Sequence, residues 1–488
     1  MQAMLFSRTW RSTSRALALT ALAVAAGAAG AAAAVEPELA GHMKRDKVSQ
    51  RYPVILRLVQ QPDAAVIAAA ADGALPAARG GHLMAALRRF AEPRQAGLLK
   101  ALQSRGVVDA VPLYTVNAVA GRLTREDIGE MARRDDVASI RFDLGLVAPS
   151  RRAAADPCNP ARPTPKQRLP KYCREEPAPL ASDKIAAFDP DLPPSPSIES
   201  IGVAAAWKAG FTGQGVTVAI VDTGVDARHP DLAGSFRGGA KDWFDVHGQH
   251  TQPMDRHGHG TQIAGLVTGT GASGHTLGVA PQAKWIGARL YNDGNVGRLS
   301  QIHRIMAWLL DPDGDPSTAD APQVVLNAWG LGDRPGTCDA EFAADIGWLR
   351  AAGMHVVFAA GNGGPSDGSS LSPANNPAAL AVGALDGAGR MATYSGRGKS
   401  ACDQRAYPDI LAPGELMRTT SSTVPGLAST TLGTGTSFAA AVAAGELAVL
   451  VQARPRMGVA EREALLAGDG PSNLPTLARA LGLPTAAQ

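Results

Sequence analysis

The chain is expected to fold as an α/β protein, a parallel sheet with helices on both faces, preceded by a small α+β unit. Three observations predict this. From Gly202 onward, short apolar runs alternate with longer helical stretches, the order of a wound parallel sheet. Several of the runs, such as Val218–Val221 and Val324–Leu326, are apolar throughout, as strands covered on both faces must be. A Pro-rich segment separates this pattern from a shorter one of mixed strands and helices.

In chain order, Arg8, Arg11 and Arg15 precede the Ala-rich stretch Ala16 to Ala34, which reads as a secretory signal over 1–34 with cleavage near Ala34-Val35. The alternative is a retained anchor, but Ala and Gly give the stretch little transfer free energy. Cleavage is therefore the expectation, with a secreted or periplasmic product and no stable membrane span afterwards. Nor does a second apolar span follow.

Residues 35–147 form the α+β unit: strand character in Tyr52–Val59, helices through Leu83–Ser104 and Thr124–Arg134, and strand character again over Val137–Val147. Thr124 and Asp127 make a capping pair. Residues 148–195 hold Pro149, Pro157, Pro160, Pro163, Pro165, Pro170, Pro177 and Pro179 and read as a linker.

Residues 196–488 make the large domain. Its expected elements are strand Val216–Val221, a helix around His259, strand Trp285–Leu290, helix Leu299–Leu310, strand Val324–Asn327, helix Glu341–Ala352 and strand His355–Ala359. Ser437–Gln452, an Ala and Val run with few polar positions, reads as a buried helix. One more surface helix and a frayed end are expected from Ala453.

Three Gly-marked motifs carry an acid, a base and a nucleophile: Val221-Asp222-Thr223-Gly224, Gly258-His259-Gly260-Thr261 and Gly435-Thr436-Ser437-Phe438-Ala439. A hydroxyl is a weak nucleophile near neutral pH, so Ser437 needs an imidazole to take its proton, and His259 is the candidate. A carboxylate on the other ring nitrogen fixes the tautomer, and Asp222 at a strand's carboxyl end can supply it. Each motif has a plainer reading: a turn at Asp222, a helix cap at Ser437. Their joint occurrence favours chemistry. His257 competes with His259, and only the family resemblance described next, which places the base immediately before Gly-Thr, assigns it to the rim.

The order Asp, His, Ser, with Ala359-Ala360-Gly361-Asn362-Gly363 and Gln323-Val-Val-Leu-Asn-Ala-Trp-Gly330, resembles the subtilisin-like serine proteases across most of residues 200–455. The resemblance implies a serine endopeptidase working through an acyl-enzyme, with Asn362 and the Ser437 backbone N–H as oxyanion donors. Ala328, Trp329, Gly330, Ala360 and Gly361 would bind substrate. Residues 35–147 resemble the propeptide that holds such enzymes as zymogens, an intramolecular inhibitor. Two positions depart from the family pattern: Ala328 stands where Ser is usual, and Ala441 where Pro is usual. The rival from another class is a catalytically silent protein-binding module on the same fold.

Partners are expected to be protein or peptide substrates. The net charge of +3 over 488 residues, with no basic run interleaved with aromatics, gives no reason to expect nucleic acid. No cofactor is required for the chemistry. Structural calcium is allowed, with Asp231 as a weak candidate by resemblance, whereas Asp311-Pro-Asp-Gly-Asp315 lacks the Gly and Glu of a helix-loop-helix site and reads as a solvated turn. Four cysteines in an exported chain suggest disulfides. Of the three possible pairings, Cys158 with Cys173 and Cys338 with Cys402 is the one expected.

Overall fold

A computed structural model describes residues 33–47, 49–75, 78–149, 187–332, 334–422, 428–467 and 476–484. Most of the expected signal stretch 1–34, most of the Pro-rich segment, Cys158 and Cys173 lie outside them.

The smaller unit begins with β1 (Ala34–Val35), α1 (Pro37–Arg45), β2 (Arg51–Leu58), α2 (Ala64–Ala69) and α3 (Arg79–Ser104). It continues with β3 (Val111–Leu113), β4 (Ala118–Thr124), α4 (Arg125–Met131), β5 (Val137–Phe142) and β6 (Gly145–Val147). Five strands form one sheet in the order β1-β5-β2-β4-β3. Thr124 and Asp127 close the capping box expected at α4. Ala34 and Val35 pair with Ser139 and Ile140, so the first strand spans the bond at which signal cleavage was expected.

The strand character over Val137–Val147 divides into β5 and β6. The break falls at Asp143, whose carboxylate accepts from Ser300 N at 2.9 Å and Ser300 Oγ at 2.7 Å. It therefore caps a helix of the larger domain, serving donors that the helix's own N-cap, Arg298, leaves unsatisfied.

The larger domain runs α5 (Pro196–Glu199), α6 (Val203–Lys208), β7 (Thr217–Asp222), α7 (Pro230–Ala233), β8 (Trp243–Asp245), α8 (His259–Thr268), β9 (Lys284–Arg289), β10 (Val296–Arg298) and α9 (Leu299–Leu310). Then come β11 (Val324–Asn327), α10 (Ala343–Ala351), β12 (His355–Ala359), β13 (Leu380–Leu385), β14 (Gly398–Lys399), β15 (Ala406–Tyr407), β16 (Ile410–Pro413), β17 (Met417–Thr420) and β18 (Thr430–Gly433). The chain closes with α11 (Thr436–Ala453), α12 (Val459–Ala467) and α13 (Thr476–Leu481).

Seven parallel strands order as β16-β13-β12-β11-β7-β9-β8. Their apolar side chains feed two clusters, one on each face. Val218, Ile220 and Leu326 join α8 and α11; Val221, Val325 and Val356 join α9 and α10. This is the fold class read from the sequence. Helix α11 is long and apolar enough to cross a membrane, but it runs buried through the core.

The tail departs from expectation. It holds two helices, and α13 is a core element, with Leu477 and Ala478 buried. On α11, buried Glu446 accepts from Thr476 Oγ1, and burial pushes its pKa up to about 7. A carboxyl raised in the fold favours the folded state most below its unfolded value, and that preference is lost as pH rises through about 7. Glu446→Gln is therefore expected to stabilise the protein above neutral pH by about 3 kcal/mol and to do little near pH 4, readable from Tm against pH.

The two units meet across α9 and α10. Arg57 and Arg141 reach Glu341 at 3.0 and 2.6 Å, and Arg141 also meets Asp339 at 3.0 Å. Buried His303 lies between Asp345 and Glu341, 2.9 Å from each. Burial opposes its charge, but the two carboxylates override this and raise its pKa to about 9. Thr115 donates to Asp345 at 2.5 Å, bringing the smaller unit into the same network.

Candidate active site

Asp222 ends β7, buried, and His259 opens α8. His259 Nδ1 lies 2.8 Å from Asp222 Oδ1 and 3.0 Å from Oδ2, so the second ring nitrogen is left to act as a base. Two glycines allow this approach. A Cβ on Gly260 would sit 2.0 Å from the Gly224 carbonyl oxygen, and one on Gly224 2.0 Å from that of Met254. Burial pushes the His259 pKa down, but the charge and hydrogen bond of Asp222 outweigh it and hold the value above the ordinary one.

A residue the sequence reading gave no role supports α8. Asp255 accepts from His257 N, Gly258 N, Thr261 N and Thr261 Oγ1, placing a carboxylate at the helix's positive end. It also accepts from Thr223 Oγ1, whose oxygen in turn accepts from Gly260 N, tying the Asp motif to the His motif. An acidic residue just ahead of a helix was the available signal.

Ser437 is the second residue of α11, and the ring of its neighbour Phe438 lies 6.1 Å from that of His259. Ser437 Oγ donates to the Ala328 carbonyl at 2.9 Å. To give its proton to His259 the hydroxyl would have to leave the Ala328 carbonyl, and catalytic hydrogen bonds often align only once substrate is bound.

Asn362 follows β12. Its Oδ1 accepts from Thr436 N at 2.9 Å and Thr436 Oγ1 at 3.0 Å, which turns the amide nitrogen outward beside Ser437. Thr436 is thus the orienting residue, missed because a Thr before Ser reads as an ordinary helix start. If the amide serves developing oxyanion charge, as the sequence led us to expect, its loss should act on the transition state. Asn362→Leu is expected to lower kcat by about 10² to 10³ with KM nearly unchanged, magnitudes known from a subtilisin. A change confined to KM would make Asn362 a ground-state contact.

The other expected site residues surround this centre. Ala328 is buried and receives Ser437. The Trp329 ring faces the core, 5.5 Å from Phe358, so only its backbone could meet a substrate. Ala360 donates to Val382 and accepts from Tyr407, while Gly361 donates to Thr436 and accepts from Gly396. Both are buried, and their backbone groups are already paired within the fold. His257 stands half-buried with its ring 6.3 Å from that of His259. Ala441 lies inside an unbroken α11.

Asp231 is buried at α7, its Oδ1 bound by Gly271 N at 2.7 Å and its Oδ2 without a hydrogen-bond partner. That orphaned oxygen fits a cation. Asp311, Asp313 and Asp320 offer oxygens within 4.8 Å of one another, but Asp313 and Asp320 are engaged in the turn's own hydrogen bonds. Cys338 and Cys402 form a disulfide, as expected.

The Subtilase family matches residues 213–479, over half of the chain. The chain belongs to the subtilase family. Among curated relatives, it is 34% identical over 290 residues to Bacillopeptidase F of Bacillus subtilis (strain 168), covering 55% of this chain and 20% of that protein. Serine protease AprX of the same strain is 35% identical over 281 residues, 52% of this chain and 61% of that protein. Subtilisin of Bacillus pumilus is 31% identical over 262 residues, 53% and 84% respectively. The chain therefore spans less than two thirds of the length of the first two.

Proposed function

We propose that this subtilase is a secreted serine endopeptidase, made as a zymogen, that hydrolyses peptide bonds through an acyl-enzyme. The reading is carried by the Asp222–His259 pair at 2.8 Å, set beside Ser437 and the outward Asn362 amide. Ser437 would attack the carbonyl carbon as His259 takes its proton. The oxyanion would be held by the Asn362 amide and the Ser437 backbone N–H at the start of α11. The protonated His259, steadied by Asp222, would return its proton to the leaving amine, and water would then release the acyl group by the same path. Asp231 would hold a structural calcium ion, which lends rigidity and takes no part in these steps.

Residues 35–147 would be the inhibitory propeptide and 148–195 the linker cut on activation. In support, β6 leads towards the site and pairs antiparallel with β10, Val147 against Val296 and Gly145 against Arg298. Wild-type protein is expected to accumulate as a shorter species beginning between Val147 and Ser195, while Ser437→Ala protein stays full length. N-terminal sequencing checks this. An active enzyme still starting near Val35 would make the smaller unit a permanent accessory. The proteolytic reading itself is tested by incubation with an unstructured protein, with and without a serine-directed covalent inhibitor.

A further inference from the structure

We infer that Leu371 fills the slot meant for the side chain of the residue whose carbonyl is attacked, so that this subtilase cleaves after small residues, Ala, Gly or Ser, and rejects aromatic and large aliphatic ones. The inference rests on the proteolytic reading above. Ser437 Oγ and the Asn362 amide fix where the reacting carbonyl must sit. Two backbone segments leave that point, the continuation of β11 through Ala328–Leu331 and that of β12 through Ala360–Gly363. The strands are paired as far as Asn327 and Phe358 and separate beyond. Each segment then presents a glycine to the space between them, Gly330 and Gly361, so neither wall contributes a side chain.

Leu371 occupies that space. A Cβ on Gly330 would lie 2.6 Å from Leu371 Cδ2, and one on Gly361 3.0 Å from the same atom. One methyl group therefore touches both walls, leaving a shallow depression instead of a slot. The leucine is also held in place. Leu371 N donates to Tyr407 Oη at 3.3 Å, and that hydroxyl donates to Ala360 O at 2.7 Å. Leu371 O accepts from Asn375 N at 3.0 Å, and the next residue's carbonyl accepts from Leu331 N at 2.8 Å. Swinging Leu371 aside would disturb both walls, and close-packed surroundings resist added volume.

The test uses protein purified after expression of the full chain and left to process itself, and two peptides that differ only in the residue before the scissile bond, Ala or Phe. Wild-type kcat/KM is expected to favour Ala by roughly 10². Leu371→Gly and Leu371→Ala should each shift the Ala-to-Phe ratio by tenfold or more towards Phe. Wild-type protein that cleaves the Phe peptide as well as the Ala peptide would overturn the inference, as would two active variants with an unchanged ratio. Labelling of Ser437 by a fluorophosphonate separates the levels. Labelled protein with the wrong preference overturns the Leu371 inference alone, whereas protein that neither labels nor cleaves overturns the proteolytic reading and this inference with it.

Discussion

Ser437→Ala is expected to lower kcat by roughly 10⁵ to 10⁶, His259→Ala by a similar factor, and the double variant by little more, because hydroxyl and imidazole act as one unit. These magnitudes are those known for a subtilisin, a member of the same family. Without His259, the Ser437 hydroxyl keeps its proton; without Ser437, the imidazole has nothing to activate. What survives should be the oxyanion donors and binding alone. Steady-state kinetics on a peptide substrate, with circular dichroism to show that the fold is retained, decides the matter. Full activity in Ser437→Ala would remove Ser437 from the chemistry.

Asp222→Asn should cost about 10⁴ in kcat, since an amide can stabilise the wrong imidazole tautomer and cannot balance the imidazolium that forms. It should also move the pH profile. His259 serves as a base only when neutral, so activity is expected to rise with pH through its pKa. Because Asp222 holds that value above the ordinary one, the acid limb of kcat/KM in the wild type should lie above it and fall in Asp222→Asn. An acid limb that does not move would mean that Asp222 lacks electrostatic control of His259.

The residues proposed to carry this chemistry were legible because each sits in a short motif whose residue types the chemistry and the turn both demand. Asp222 needs a strand behind it and Gly224 after it; His259 needs Gly260 for close approach. The fold class was legible for a related reason, since strands buried on both faces leave no polar positions in Val324–Leu326 or Val218–Val221. Contacts made by distant segments were not legible. Leu371 is an ordinary leucine in a loop until the fold brings Gly330 and Gly361 to it. Asp143 looks like the middle of a strand until Ser300 arrives. Glu446, in an otherwise apolar helix, gives no hint that Thr476 will cover it, which is why a frayed end was expected where α13 joins the core.

The charge network between the two units bears on how they would find each other again. Separating them would send Arg57 and Arg141 away with one partner and leave Asp339 and Glu341 facing water on the other. Opposite charges then draw the two surfaces together from beyond contact distance, an attraction felt over about 8 Å at physiological ionic strength and over less as salt is added. Added salt should accordingly slow their encounter far more than it speeds their parting, since steering acts before contact while the buried bonds act after it. If residues 35–147 are a cleaved propeptide, as proposed, the ionic strength around the protein would thereby govern how long the freed piece keeps returning to its enzyme.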